Sequence, residues 1–270
     1  MYWNDDQSGR MNFDLVSEAY EIGRPQYPPS VFASTFGRLN GRPVTLEIGS
    51  GSGQATGELA AGSKHLDCVE PGARFASHLR NSFSELNDVM IFEEDFEDFE
   101  PTRSYDLVFS ACALHWIPRD IALSKIEQLL KPGGWLVAVW NQLAVTTPVF
   151  DVLEKAVGAD FTDIPLPIYK PDVHEARFSE GLQHLCGHWN FHSCNMEILQ
   201  RPRTVSVSTF VALLKSYTDV TGKNAEEVEE RFSSIARVLT ALKFESIEML
   251  DYFPLATAQR LRTPAVSQHN

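Results

Sequence analysis

The sequence predicts an α/β fold, a mostly parallel sheet with helices on both faces. From Val44 to Asn141, short apolar runs alternate with amphipathic stretches, which is what a parallel sheet with crossover helices requires. The run Val44-Thr45-Leu46-Glu47-Ile48 passes directly into Gly49-Ser50-Gly51-Ser52-Gly53. Alternating glycines let a chain turn sharply from strand to helix and approach a ligand closely, because no Cβ stands in the way. With 270 residues, 43% of them hydrophobic and 22% charged, the chain has the length for one domain plus a cap and can bury a full core.

Strands are expected at Val44 to Ile48, His65 to Glu70, Val89 to Phe92, Tyr105 to Ser110 and Gly134 to Trp140, with helices between them. The strongest stop signal is Lys131-Pro132-Gly133-Gly134: a basic residue ends a helix over Ile121 to Leu130, and the Pro-Gly-Gly turn feeds the fifth strand. Beyond Asn141 the alternation ceases. Thr147 to Val157 reads as helix, and the prolines at 165, 167 and 171 then break any regular element. Residues 143–190 are therefore expected to form a helical cap over the carboxyl edge of the sheet. A strand over Phe191 to Leu199, helices over Ser206 to Tyr217 and Ala225 to Leu242, and a last strand over Ile247 to Thr257 account for residues 191–262, and residues 263–270 read as a tail. The core and an N-terminal lid occupy residues 1–142.

A net charge of −13 argues against a nucleic-acid partner, because a phosphate backbone would be repelled and no Lys/Arg run compensates. The first residues, Met1-Tyr2-Trp3-Asn4-Asp5-Asp6, have neither a basic nor an apolar targeting region, and no stretch approaches a membrane span. These features predict a cytoplasmic protein with a small-molecule partner and no membrane partner; they say nothing of oligomeric state. The four cysteines, at 68, 112, 186 and 194, are too few and too unevenly placed for a disulfide framework, and Cys68 and Cys112 read as reduced packing residues. His184, Cys186, His188, His192 and Cys194 cluster but lack the paired Cys-x2-Cys spacing of zinc sites, so no metal is expected.

Two carboxylates frame the glycine turn. Glu47 precedes it where a pyrophosphate-binding turn is ordinarily apolar, which favours a cationic ligand over a diphosphate. Glu70 ends the next apolar run, where an acidic side chain can accept both ribose hydroxyls of a nucleoside.

The segments Glu47 to Gly53, Val69-Glu70-Pro71, Glu94-Asp95-Phe96, Tyr105-Asp106-Leu107-Val108 and Leu130-Lys131-Pro132-Gly133-Gly134 resemble, in order and spacing, S-adenosylmethionine-dependent methyltransferases of the Rossmann-like class. Tyr20 to Pro28, Ala113-Leu114-His115-Trp116 and Val139-Trp140-Asn141 further resemble the trans-aconitate methyltransferase-like branch. The likeness covers residues 14 to 142 well. It implies a Rossmann-like, seven-stranded, mostly parallel sheet whose two late strands pair antiparallel at the edge, and S-adenosyl-L-methionine as cofactor. Gly49, Gly51 and Gly53 would receive the methionine part of that cofactor, with Glu47 near its cationic groups and Glu70 on the ribose. Asp95 would meet the adenine amino group and the backbone of Phe96 its ring. The family has a glycine before this aspartate where the chain has Glu94, so the adenine contact lies among Glu93, Glu94 and Asp95.

Ser110, His115 and Trp116 are expected to line the space where the methyl group is transferred. His115 serves there as a base if the acceptor is a hydroxyl or amine, and as a hydrogen-bond donor if it is a carboxylate. Tyr20, Arg24 and Tyr27 precede the first strand and would fold over the cofactor, Arg24 offering a bidentate fork to a carboxylate. Trp140 and Asn141 end the fifth strand at the same edge, with Trp140 either a core or a contact residue. Ser216 and Tyr217 are candidates on the cap side of the pocket. The expected activity is methyl transfer to an oxygen of a small organic acid or alcohol. Two other readings are weighed: a non-catalytic cofactor-binding module, and a nicotinamide-dependent oxidoreductase, disfavoured by Gly-x-Gly-x-Gly following Glu47.

Overall fold

The computed structural model describes residues 26–145, 190–215 and 225–262, together with 149, 151, 152, 168, 169 and 187. The apolar run before the glycines forms β1 (Val44–Ile48). After it come α2 (Thr56–Gly62), β2 (His65–Val69), α3 (Ala73–Ser82), β3 (Val89–Phe92) and β4 (Tyr105–Ala111); a helix α1 (Pro29–Phe36) precedes them. A single 3-10 turn, Leu114–Trp116, leads to α4 (Arg119–Leu129) and β5 (Leu130–Val139). Then follow β6 (Gln142–Val145), β7 (Ile168–Tyr169), β8 (Phe191–Ser206), α5 (Val207–Lys215), α6 (Ala225–Ala241) and β9 (Ser246–Arg260).

These strands make one sheet in the order β3-β2-β1-β4-β5-β9-β6-β7, with β8 on β9. The pairs from β3 to β5 are parallel, and β9 runs antiparallel to β5 with Val139 opposite Leu255. The expected strands, including the antiparallel late pair, are joined by two short ones, β6 and β7. Each central strand is buried on both sides, as a sheet covered by helices demands. Leu46, Ile48, Val108, Leu136 and Ala138 face a core completed by Ala122, Leu123 and Ile126 of α4. Leu107, Phe109, Val137 and Val139 face the opposite core with Val31 and Phe32 of α1 and Leu59 of α2.

The turn expected at Lys131 to Gly134 is instead a bulge inside β5. The register steps from Tyr105 opposite Leu130 to Leu107 opposite Trp135, with Gly133 at φ +80°. Lys131 reaches out of this bulge to both carboxylate oxygens of Asp106, at 2.9 and 2.8 Å, so its charge serves the amino end of β4 rather than the helix end. The strand expected to stop at Leu199 runs on to Ser206. Pro202 is tolerated within it because, among the described residues, β8 pairs only with β9 and its outer side needs no proline N–H.

That extension carries β8 and β9 beyond the end of β5. β5 meets β9 at residues 255–259, whereas β6 meets it at Tyr252 to Met249. The far half of the antiparallel β8–β9 pair therefore projects past the carboxyl end of β5. It carries its own core, in which Leu143, Val145, Ile247 and Met249 pack with Phe210, Leu214, Phe232 and Leu239 of α5 and α6. Most of residues 143–190, where the cap was expected, lies outside the described residues. No helix among the described residues is long and apolar enough to cross a membrane.

Candidate active site

Strand order reverses between β1 and β4, and in open α/β sheets the crevice outside the carboxyl ends at such a reversal is where ligands bind. The glycine loop, Glu70, the turn after β4 and the break after β5 all end there. The three glycines do different things. Gly49 has φ +69°, and a Cβ on it would stand 2.3 Å from the Cβ of Ala113, so its missing side chain makes room for the turn after β4. Gly53, at φ +84°, makes room for Leu79 of α3, 3.0 Å from its Cβ position. Gly51 has φ +54° and nothing within 4 Å of its Cβ position, so it is the one of the three that faces open space. Beside it, Ser52 Oγ is buried with no hydrogen-bond partner among the described residues.

The carboxylate of Glu70 is pinned by main chain: Gly51 N–H donates to Oε2 and Gly72 N–H to Oε1, both at 2.8 Å. A carboxylate offers about four acceptor positions, of which these amides take two, and the pair aims the group before any ligand arrives. Glu47 is 1% exposed. It accepts from Thr56 Oγ1 at 2.7 Å and from the Cys68 thiol at 3.5 Å, two partners that sequence reasoning did not name. Burial pushes its carboxyl up from 4.5 to about 7, against the lowering effect of the Thr56 hydrogen bond. Burial likewise pushes the Cys68 thiol up, reinforced by the charge of Glu47.

Of the three acidic candidates after β3, Glu93 is engaged by Arg80 Nη1 at 2.7 Å on the surface, while Glu94 and Asp95 are half-buried. The ring of Phe96 is 1% exposed in the core under α4, so only its backbone is available to a ligand. Ser110 is also turned inward, its hydroxyl donating to Ile48 O at 3.2 Å between β4 and β1.

The ends of β4 and β5 are tied together. Trp140, 5% exposed, donates its indole N–H to Nδ1 of His115 at 3.1 Å. An indole N–H is only a donor, so Nδ1 acts as acceptor and the neutral ring carries its proton on Nε2. Trp140 is thus a core residue that also hydrogen-bonds His115. The ring of Trp116 lies 5.0 Å from that of His115. The backbone N–H of Asn141 donates to Cys112 Sγ at 3.1 Å, and Tyr27 OH reaches the same sulfur at 3.5 Å. Cys112 was read as packing, and nothing in a single cysteine's sequence context signals this junction. Tyr20, Arg24, Ser216 and Tyr217 lie outside the described residues, as do His184, Cys186 and His188; His192 and Cys194 sit at the start of β8.

Residues 46–138 match the protein family described as Methyltransferase domain. The chain is 23% identical over 247 residues to an uncharacterized methyltransferase of Schizosaccharomyces pombe, covering 88% of this chain and 92% of that one. A proposed type II methyltransferase from Anaeromyxobacter dehalogenans shares the fold with a TM-score of 0.67 and 22% identity, over 89% of this chain and 99% of that one. A methyltransferase from Thiobacillus denitrificans, solved in complex with S-adenosyl-L-homocysteine, shares it at a TM-score of 0.50 and 13% identity, over 91% and 96% of the two chains.

Proposed function

We propose that this chain, a Rossmann-like, S-adenosylmethionine-dependent methyltransferase, methylates a carboxylate oxygen of a small organic acid. The observation that carries the choice of acceptor is the hydrogen bond from Trp140 to Nδ1 of His115. It leaves the ring as an Nε2–H donor, whereas a general base needs a lone pair facing the acceptor. A carboxylate is already ionised near neutral pH and needs no base, while an alcohol or amine must lose a proton.

The residues present fit the cofactor. The open face of Gly51, the orphaned hydroxyl of Ser52 and the pinned carboxylate of Glu70 form a cradle with donors and an acceptor suited to a nucleoside. The carboxyl of Glu47, buried two residues before Gly49 where a pyrophosphate-binding turn is ordinarily apolar, suits a cationic ligand better than a diphosphate. The neighbour from Thiobacillus denitrificans, which holds S-adenosyl-L-homocysteine, supports the same reading. When bound, S-adenosylmethionine supplies a methyl group on a cationic sulfur. In that reading Glu70 holds the ribose hydroxyls, Glu94 or Asp95 meets the adenine, and His115 Nε2–H holds one oxygen of the acceptor carboxylate while the other faces the methyl group. Because sulfonium charge disperses during transfer, no oxyanion develops, and positioning dominates: alignment of two bound reactants is worth ~7–11 kcal/mol of barrier.

Tritiated methyl donor incubated with pooled small carboxylic acids tests this. Label is expected in a product from which mild alkali releases it as methanol, the behaviour of a methyl ester. His115→Asn should retain much of that activity, since Asn also donates. Alkali-stable label, or a ~10²–10⁴-fold loss in His115→Asn on a carboxylate substrate, would overturn the reading.

A further inference from the structure

Three non-glycine residues among those described have positive φ: Ser193 in the irregular start of β8, Lys243 in the turn after α6, and Cys112 at φ +55°, directly after β4. A side chain disfavours that region, so Cys112 is held there by its surroundings. Its own N–H donates to Val139 O at 2.9 Å, which keeps it on the β5 ladder. Its sulfur accepts the N–H of Asn141 at 3.1 Å and the hydroxyl of Tyr27 at 3.5 Å. Asn141 follows Trp140, and Cys112 stands three residues before His115. One sulfur atom therefore ties the backbone that carries His115 to the backbone that carries its indole donor. The next residue, Ala113, fills the space left open by Gly49, so the same turn is wedged against the glycine loop.

We propose that Cys112 is a positioning residue for methyl transfer: its sulfur clamps the ends of β4 and β5 so that Trp140 holds His115 in the Nε2–H form, and it docks the segment before α1 through Tyr27. Sulfur suits the task, since its large lone pairs accept two donors at distances a hydroxyl oxygen, on a shorter bond, does not reach together. The inference rests on the role given to His115 above, and its test needs neither acceptor nor turnover.

The experiment reads the ring nitrogens of His115 by ¹⁵N NMR, together with amide exchange at Asn141 and across residues 26–36. Wild type is expected to show the Nε2–H tautomer. In Cys112→Gly, which keeps the left-handed backbone at ease while deleting the sulfur, His115 should become a mixture of tautomers, and exchange at both places should rise at least tenfold with little change in melting temperature. Tyr27→Phe should raise exchange over residues 26–36 alone, and Cys112→Ser should restore part of the protection of Asn141. Wild-type tautomer and exchange in Cys112→Gly would overturn the proposal and leave the carboxylate reading standing. So would a Tyr27→Phe variant that loosens Asn141 as much as residues 26–36, for then the sulfur is not the junction. An Nδ1–H tautomer in the wild type would overturn both.

Discussion

At Glu47 burial and charge work against each other. The native carboxyl keeps its proton up to about pH 7, whereas the unfolded one releases it near 4.5. Between those values the native state binds more protons, so this group lowers stability as pH rises; its effect is absent below 4.5 and complete above about 7. Glu47→Gln retains an acceptor for Thr56 and removes the titration. Relative to wild type, the variant should gain roughly 3 kcal/mol between pH 4.5 and pH 8, measured by urea unfolding at the two values. An unchanging difference would show that Glu47 is ionised throughout. Two glycines, two residues apart, should separate folding from binding. Gly49→Ala meets Ala113 and a left-handed backbone together, and should cost roughly 2–4 kcal/mol of stability. Gly51→Ala meets open space; it should cost only ~1–2 kcal/mol yet weaken S-adenosylhomocysteine at least tenfold in calorimetry, because its methyl group enters the cradle.

The far half of the antiparallel β8–β9 pair is tied across the strands by one buried carboxylate. Asp251 is fully buried, with Arg201 Nη2 at 3.2 Å and Arg203 Nη2 at 3.0 Å, while the Arg201 guanidinium lies 5.4 Å from the centre of the Phe253 ring. Asp251→Ala would leave two half-buried guanidinium groups side by side without their shared anion, a loss of ~3–5 kcal/mol. The core of α5 and α6 leans on this part of the pair. Hydrogen exchange should therefore quicken over residues 246–252 and in both helices, with β1 and β4 unaffected. Uniform quickening would show that the β8–β9 pair and the parallel sheet unfold as one unit.

Across the whole molecule, a net charge of −13 and the Glu70 carboxylate beside the glycine turn oppose a diphosphate and favour a ligand that brings positive charge. S-adenosylhomocysteine, which keeps the ammonium group, should raise the melting temperature, by the equivalent of ~2.7 kcal/mol at a hundred times its Kd. NAD at the same concentration should leave the temperature unchanged. A shift with NAD would reverse the cofactor assignment.

The sequence by itself determined the parallel core and its glycine turn, because both are written locally: alternating periods place strands and helices, glycines mark where the chain turns left-handed, and Glu70 falls at a strand end by spacing alone. Partners distant in sequence were decided only by the tertiary structure. Thr56 and Cys68 hold Glu47 because α2 and β2 fold back on β1, and Trp140 reaches His115 because β4 and β5 end side by side. The prolongation of β8 through Pro202 is the same kind of fact. Register brings Asp251, fifty residues on from Arg201, within reach of both arginines. Strand and turn preferences belong to neighbouring residues, whereas a hydrogen bond or ion pair exists only once the fold has chosen which strands lie together.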